Sequence, residues 1–380
     1  MARGRPAIER LWHPGLPARW WPLWAALTPA AALYSGALAL RTRWWRGHAA
    51  HAATAIISVG NLTVGGNAKT PFTLFLAARL QAQGFKVAIL SRGWGRSASG
   101  ARALLVADGG RLLLDPRAAG DEPAMMAHAF AGPIAVARRR ADGAALLTAH
   151  APLDAIILDD GFQHLGLRRD LDLLLINPAR GFGNGWILPA GPLREPATAI
   201  ERADAVIVIA RAAAPGDALS AADRARLERR PIMRAELRPH TLISADGGRW
   251  IESPLSGLAG HRVVAASGLA DPAGFHAMLT GLGATIAAAL AFPDHYDYAP
   301  GDWERIIAAA GGAERPAMIV TTAKDLVKLE AFSPPPVSLY ALGLDVTMDA
   351  CDEARLLALA AERIRRRRGP VGNRPPAFVA

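Results

Sequence analysis

One cysteine, Cys351, stands in a chain of 380 residues. That count excludes a disulfide framework and a cysteine-based zinc site within the chain. Cys351 reads as a packing residue at a helix end rather than a reactive thiol. No internal repeat is evident. The net charge is +10, yet no helix-turn-helix, zinc-finger or aromatic RNA-binding signature accompanies it, so no nucleic-acid partner is expected. The basic excess suits anionic lipid or a phosphorylated substrate instead. Hydrophobic residues make up 51% of the chain, which excludes wholesale disorder and is enough for a sizeable core. The length fits two or three domains at roughly 100–200 residues each.

Charge is also missing locally. Between Arg19 and Arg41 no residue is charged, and six of the ten tryptophans (Trp12, Trp20, Trp21, Trp24, Trp44 and Trp45) lie in the first 50 positions. The uncharged stretch is about long enough to cross a bilayer, which takes roughly 20 apolar residues. Pro22 and Pro29 interrupt it, and Thr28, Tyr34, Ser35 and Gly36 dilute it. Three placements suit it: an interfacial or shallowly inserted anchor, a spanning helix, or a packed pair of soluble helices. Tryptophan and arginine at both ends favour the first. A secretory signal fits poorly, because its basic leader would be too long and no disulfide chemistry follows.

After His51 short apolar runs alternate with helical stretches. The runs are Ala55–Gly60, Val87–Ser91, Ile134–Ala137, Ala155–Asp160, Leu171–Ile176 and Ala205–Ala210. They are continuous rather than alternating, as expected of strands covered on both faces of a mostly parallel sheet. Helices are expected over Thr70–Gln83, Asp121–Phe130, Ala141–Ala149 and Ser220–Arg229. The pattern predicts an α/β, doubly wound, mostly parallel sheet of the P-loop NTPase kind. Ile232–Leu237 and Thr241–Ile251 read as two further strands, the second broken at Asp246-Gly247-Gly248 by a hairpin signal. A second βα series follows: Val263–Gly268, a helix to about Gly281, Ile286–Phe292, a helix from Asp302, Met318–Thr322 and Val337–Leu342. The expected organisation is an N-terminal membrane-associating helical segment (1–50), a phosphate-loop core domain (51–238), a two-stranded ribbon (239–255), a smaller α/β domain (256–368) and a disordered Pro/Gly-rich tail (369–380).

The segment Ser58–Pro71 reads SVGNLTVGGNAKTP. It follows an expected strand and opens an expected helix, where backbone N–H groups and the helix dipole favour an anion. Thr63, Val64, Gly65, Gly66, Asn67, Ala68, Lys69 and Thr70 form the candidate cradle. Gly65 and Gly66 let the backbone approach phosphate oxygens. Lys69 would reach the β- and γ-phosphates of ATP, and the Thr70 hydroxyl would ligate Mg²⁺. The strict pattern G-x-x-x-x-G-K-[ST] is not met, because Thr63 and Ala68 stand at the glycine positions. A glycine-rich βα turn without ligand is the plainer alternative.

Three more segments put polar groups where a core would not want them. Gly120-Asp121-Glu122-Pro123 sits at a helix start, where Asp121 is either an N-cap or a functional acid. Asp159-Asp160-Gly161-Phe162-Gln163-His164 lies at the carboxyl end of a strand, the ligand edge of an open α/β sheet and the place of a Walker-B carboxylate. A turn-forming Asp-Gly is the alternative there. Pro293-Asp294-His295-Tyr296-Asp297 follows a strand of the second series. Phosphoryl transfer needs a phosphate cradle, Mg²⁺ ligands and an oriented base, and an Asp–His pair can share the last role. A membrane-switch GTPase or partition-type ATPase offers similar parts. The Asn-Lys-x-Asp expected for guanine is absent, and Lys324-Asp325 lacks its spacing.

VGNLTVGGNAKTP, LSRGWGR (Leu90–Arg96), GDEP, LDDGFQH, ILPAGPLREP (Ile187–Pro196), FPDHYDY and TTAKDLVKL occur in one order between Ser58 and Leu329. Together they resemble the tetraacyldisaccharide 4'-kinase family. The resemblance implies transfer of the ATP γ-phosphate to the 4'-hydroxyl of an acylated glucosamine disaccharide 1-phosphate, giving lipid IVA. It implies work at the cytoplasmic face of the inner membrane, with no obligate protein partner. In that family's pattern Asp121 matches the catalytic base, paired with His295, and Lys69 and Thr70 match the Walker residues. Glu122 and Asp160 match positions near Mg²⁺ and phosphate, with Asp159 their neighbour. Ser91, Arg92 and Gly93 match an active-site βα loop, and Arg194 lies in a basic segment suited to the substrate phosphate. Arg138–Arg140 and the C-terminal arginines are candidates for a basic rim. Two departures stand out: Ala68 replaces a usual Gly, and Trp94 a usual Tyr.

Overall fold

The computed structural model describes residues 11–12, 16–65, 68–93, 101–211, 216–269, 272–311, 317–332 and 338–368. Gly66 and Asn67 of the phosphate loop, Trp94, Val337 and the expected tail 369–380 lie outside the described residues.

The strands are β1 (Ala55–Gly60), β2 (Val87–Ser91), β3 (Ala103–Asp108), β4 (Arg111–Leu112), β5 (Ile134–Ala137), β6 (Ala155–Asp159), β7 (Leu171–Ile176), β8 (Ala205–Arg211), β9 (Ile232–Asp246), β10 (Arg249–Ser253), β11 (Arg262–Gly268), β12 (Thr285–Phe292), β13 (Met318–Thr322) and β14 (Leu339–Met348). The α-helices among the described residues are α1 (Trp21–His48), α2 (Lys69–Ala82), α3 (Pro116–Ala119), α4 (Asp121–Ala129), α5 (Arg140–His150), α6 (Ala221–Leu227), α7 (Ala273–Gly281), α8 (Pro300–Ala310), α9 (Ala323–Leu329) and α10 (Ala350–Arg368). All strands belong to one sheet in the order β12-β11-β13-β14-β9-β8-β7-β1-β6-β2-β5-β3-β4, with β10 paired to β9.

The continuous apolar runs have the expected cause. Ile57 and Val59 of β1 face the side covered by α2, α4 and α10, through Phe72, Leu76, Met126 and Leu356. Ile56, between them, faces the side covered by α5 through Ala144 and Leu147. Each such buried Ile or Leu contributes about 1.5–3 kcal/mol. The second half repeats the scheme, with Phe275 and Leu279 of α7 on one face and Trp303 and Ile306 of α8 on the other.

Strand β9 decides how the halves meet. It runs parallel to β8 over Ile232–Leu237 and antiparallel to β14 over Ala235–Ile243. At about 3.3 Å per residue it reaches well past the carboxyl end of β8. The second half of the sheet hangs on that extension. Because β14 and its parallel neighbours β13, β11 and β12 run back toward the first half, the carboxyl ends of the two sets of strands face each other. The sequence reading split this segment into Ile232–Leu237 and Thr241–Ile251. It is instead one strand through Pro239, followed by a hairpin at Gly247–Gly248, both at positive φ. A register shift at Gly343/Leu344, opposite Pro239, accommodates the missing donor. The β3–β4 hairpin was not anticipated.

Among the described residues Trp21–His48 forms one unbroken helix. α1 continues through Pro29. Proline leaves the carbonyl four residues back unbonded, and the Thr28 hydroxyl donates to that Ala25 carbonyl at 2.8 Å. Among the described residues α1 and the turn before it form the one helix long and apolar enough to cross a bilayer. Its flank carries Trp21, Leu33, Leu40 and Trp44, exposed by 62, 78, 71 and 59%. The other flank docks on the first half. Trp24 Nε1 donates to the Ala190 carbonyl at 3.1 Å, Arg41 Nη2 donates to the Gln163 carbonyl at 3.0 Å, and Ala31 is buried beside Phe162 and Phe182.

The ribbon formed by β9 and β10 fastens the helices of both halves. Trp250 stacks on His128 of α4 with ring centroids 4.3 Å apart, and its indole N–H donates to Glu330, next to α9, at 3.2 Å. Trp250→Ala is expected to cost about 2–3 kcal/mol, and Trp250→Phe, which keeps the stack and loses the hydrogen bond, about 1 kcal/mol. Denaturant unfolding measures both. A Trp250→Ala chain as stable as the original would remove the ribbon from this role.

Candidate active site

The first carboxyl edge gathers the phosphate loop after β1, the Asp159-Asp160 pair after β6, Ser91 at the end of β2 and Arg140 after β5. β1 lies between β7 and β6, so its loop opens at the middle of the edge. Gly60 ends β1 against Phe162, where an added Cβ would come within 2.7 Å of the Phe162 Cβ. Val64 N–H donates to the Pro192 carbonyl at 2.9 Å, and Thr63 bridges to Leu193. The cradle is thus braced by the Ile187–Pro196 segment. Gly65 has φ +98°, a conformation that favours glycine. Ala68 caps α2 in the left-handed region at φ 54°, ψ 28°. The φ > 0 requirement at this position is therefore real, and an L-residue meets it at a cost of about 1–2 kcal/mol.

Lys69 leaves the loop toward Asn61 Oδ1 at 3.3 Å and Asp160 Oδ1 at 3.6 Å. Thr70 turns inward, with its hydroxyl 3.4 Å from Asp159 Oδ2, and Thr73 Oγ1 donates to Asp159 Oδ1 at 3.2 Å. Asp159, rather than Asp160, is thus the carboxylate beside the Thr70 hydroxyl. Asp160, at φ 52°, turns the other way and accepts Arg194 Nη1 at 2.8 and 2.9 Å. Arg194 also approaches Gln163 Oε1 at 3.4 Å, and Gln163 Nε2 donates to the Asn61 carbonyl at 2.8 Å. Arg140, exposed by only 2%, donates to the Ala137 and Asp159 carbonyls at 2.7 and 3.3 Å. Its backbone N–H donates to His164 Nε2 at 3.1 Å. Burial, reinforced by nearby cations, pushes His164 down to about 3, so the ring is neutral and this nitrogen accepts.

Asp121 begins α4 after Gly120, whose φ is 94°. Its carboxylate is nearly inaccessible and receives two groups from the second half. His295 Nδ1 lies 3.0 and 3.2 Å from its two oxygens, and Lys328 Nζ lies 3.0 Å from Oδ2. The His295 partner is 174 residues away in sequence. Burial would raise the Asp121 carboxyl, but the His295 hydrogen bond and the Lys328 charge outweigh it and hold it far below the usual carboxylate range. The same hydrogen bond raises the His295 imidazole.

The neighbouring acids are driven the other way. Burial and the Asp121 charge raise Glu122. Burial, with the charges of Glu122 and Asp160, pushes Asp159 up to about 7. Burial would raise Asp160 as well, but Lys69 and Arg194 outweigh it and lower it. Burial thus raises both Glu122 and Asp159, the Glu122 charge adds to the rise at Asp159, and Asp159 lies beside the Thr70 hydroxyl. A divalent cation fits acids so placed. Among the described residues no three His, Cys, Asp or Glu side chains hold a metal by themselves. Mg²⁺ takes one or two protein carboxylates and completes its shell with phosphate oxygens and water, and Asp159 beside the Thr70 hydroxyl offers donors of that kind.

Of the sequence candidates, Lys69, Thr70, Asp159, Asp160 and Arg194 come together at the first edge, and Asp121 and His295 meet across the gap. Ser91 is buried at the end of β2, and Arg92 follows it at the surface. The sequence reading missed Lys328 and Lys324, although both lie in the quoted TTAKDLVKL. The available signal was a pair of lysines one helical turn apart just after a strand. The C-terminal arginines are not at this rim. Arg363 pairs with Asp204 at 2.8 Å, Arg367 with the Ala52 carbonyl and Arg368 with Asp154, all at the amino edge of the sheet. Of Arg138–Arg140, only Arg140 is built into the site.

The strained cap gives a direct test. Ala68→Gly relieves the left-handed strain and is expected to leave stability unchanged or raise it by up to about 1 kcal/mol. Ala78→Gly, at an exposed position inside α2, should cost about 1 kcal/mol. Thermal unfolding compares them, and equal losses would show that Ala68 carries no strain.

The family model of tetraacyldisaccharide-1-P 4'-kinase matches residues 23–364. The chain is similar to the tetraacyldisaccharide 4'-kinase of Anaeromyxobacter dehalogenans strain 2CP-C, at 43% identity over 342 residues, covering 83% of this chain and 86% of the relative. The corresponding kinase of Bradyrhizobium sp. strain ORS 278 is 36% identical over 358 residues, covering 92 and 97%. The crystal structure of LpxK from Aquifex aeolicus in complex with ATP superposes with a TM-score of 0.72 at 31% identity, covering 90% of this chain and 99% of that one. By sequence and by fold, the chain belongs to the tetraacyldisaccharide 4'-kinase family.

Proposed function

We propose that the chain transfers the γ-phosphate of ATP to the 4'-hydroxyl of a tetraacylated glucosamine disaccharide 1-phosphate, forming lipid IVA in lipid A biosynthesis. The observation that carries this reading is the Asp121–His295 pair, closed across the gap at 3.0 Å, in a chain whose Lys69 loop lies against Asp160 at the same carboxyl edge. The loop from Thr63 to Thr70 binds the phosphates of ATP, with Lys69 on the β- and γ-phosphates. Thr70, Glu122 and Asp160 would hold Mg²⁺, with Asp159 beside the Thr70 hydroxyl. When bound, the ion offsets phosphate charge and orients the transferring group.

Asp121 orients the 4'-hydroxyl and accepts its proton as the oxygen attacks. A carboxylate held this far down is a weak base. A loose phosphoryl-transfer transition state asks little of base strength and much of position. An ionised carboxylate only accepts, so His295 Nδ1–H donates to it. The ring is thereby fixed with Nε2 as its other nitrogen. Arg194, with Ser91 and Arg92, faces the acceptor headgroup, and Arg194 exchanges Asp160 for a substrate phosphate.

The exposed flank of α1 anchors the chain at the cytoplasmic face of the inner membrane, with tryptophans at both ends in the interface. Its docked flank lies against Gln163 and Ala190 of the site loops. The acyl chains stay in the lipid while the headgroup enters the gap.

Asp121→Asn is expected to lower kcat about 10³-fold while leaving ATP affinity within threefold. Radiolabelled ATP offered with disaccharide lipid, nucleoside or water reads the transfer. Wild-type turnover in the variant would remove Asp121 from the base role, and transfer to water alone would make the chain a switch ATPase. Replacing Leu33, Leu40 and Trp44 together by Gln should weaken co-sedimentation with anionic vesicles at least about tenfold. Undiminished sedimentation would reject the anchor.

A further inference from the structure

The TTAKDLVKL segment forms a turn of strand into helix with its own fastening. Thr322 ends β13 and caps α9, its hydroxyl accepting from Asp325 N–H at 3.1 Å and donating to Asp325 Oδ2 at 2.7 Å. Asp325 is fully buried and accepts the Gly268 N–H at 2.9 Å. The start of α9 is thus tied to the end of β11. Lys324 and Lys328 lie four residues apart, on one face of this helix.

Both lysines act on the loop that carries His295, from opposite sides. Lys324 pairs with Asp294, the residue before it. Lys328 donates to the carbonyl of Tyr296, the residue after it, at 2.9 Å. His295 itself has φ 59°. A non-glycine residue stays in that region only when its surroundings over-determine it. Lys328 does more than hold the loop, because the same ammonium group lies 3.0 Å from Asp121 Oδ2.

We infer that Lys328 is a positioning residue for phosphoryl transfer, joining the Asp121 carboxylate and the His295 loop through one ammonium group and so fixing their mutual orientation. Lys324 holds the other side of the loop. The inference rests on the base role proposed for Asp121 and His295, and separate variants test the two. Two N–H groups of Lys328 are committed to Asp121 and Tyr296, which distinguishes it from Lys69, whose ammonium stands at the phosphate loop.

The test uses the full-length chain with steady-state kinetics for ATP and acceptor. Binding of a fluorescent ATP analogue and a thermal melt confirm folding. Lys328→Met should lower kcat about 100-fold with KM for ATP within threefold. Lys328→Gln, which keeps a donor for Tyr296 without the charge, should lose about tenfold, and it carries the test if the Met variant does not fold. In an Asp121→Asn background, Lys328→Met should change kcat by less than threefold, because the group it positions is gone. A folded Lys328 variant with kcat within threefold of wild type overturns the inference. So does a fully additive loss in the double variant, or a loss confined to KM for ATP. Wild-type turnover in Asp121→Asn alone would instead overturn the base assignment.

Discussion

Asp121 carries its charge in a nearly inaccessible place, and the groups that compensate it come from the other half of the chain. Removing either partner would leave a buried carboxylate short of its counter-charge, a change that costs about 3–5 kcal/mol in comparable buried pairs. His295 and Lys328 therefore hold the two halves together as well as serving the transfer proposed for Asp121. The long strand β9 makes the meeting possible, since it carries the second set of strands past the first and turns their carboxyl ends back toward it.

Two groups of acids sit side by side with opposite electrostatics. Asp121 is gripped by the His295 hydrogen bond and the Lys328 charge and stays ionised, whereas burial and neighbouring carboxylates push Glu122 and Asp159 up. Residues of one chemical type thereby divide the work by environment. One acid is fixed as an acceptor of hydrogen bonds. The others hold charge that a cation and a polyphosphate arriving together would balance.

Much of the fold was legible because strands buried on both faces write themselves as unbroken apolar runs. Ala55–Gly60 and Leu171–Ile176 read correctly to the residue. The errors have physical causes. β3 carries an apolar run, Ala103–Ala107, absent from the expected strands, and it is only half-buried over Ala103–Leu105, near the edge of the sheet. The strands expected over Ile232–Leu237 and Thr241–Ile251 are continuous, because a register shift in β14 absorbs Pro239 between them. Pro29 looked like the end of a helix, but the Thr28 hydroxyl fills the gap it leaves. In the site, the phosphate loop was legible because its parts are contiguous. The Lys328–Asp121 pair was not, because a lysine on a short helix reads as solvated and nothing local reveals a partner in another element. Asp159 and Asp160 were distinguishable only once the backbone twist at Asp160 showed which carboxylate turns toward Thr70.

The docking of α1 has a kinetic consequence. Trp24 grips the Ala190 carbonyl and Arg41 the Gln163 carbonyl, so the helix proposed to lie at the membrane touches the loops that frame the catalytic gap. An acceptor arriving by sideways drift within a leaflet would never pass through water. Turnover would then follow its mole fraction in that two-dimensional film, and diluting the film with inert amphiphile would slow the reaction even at constant bulk amount.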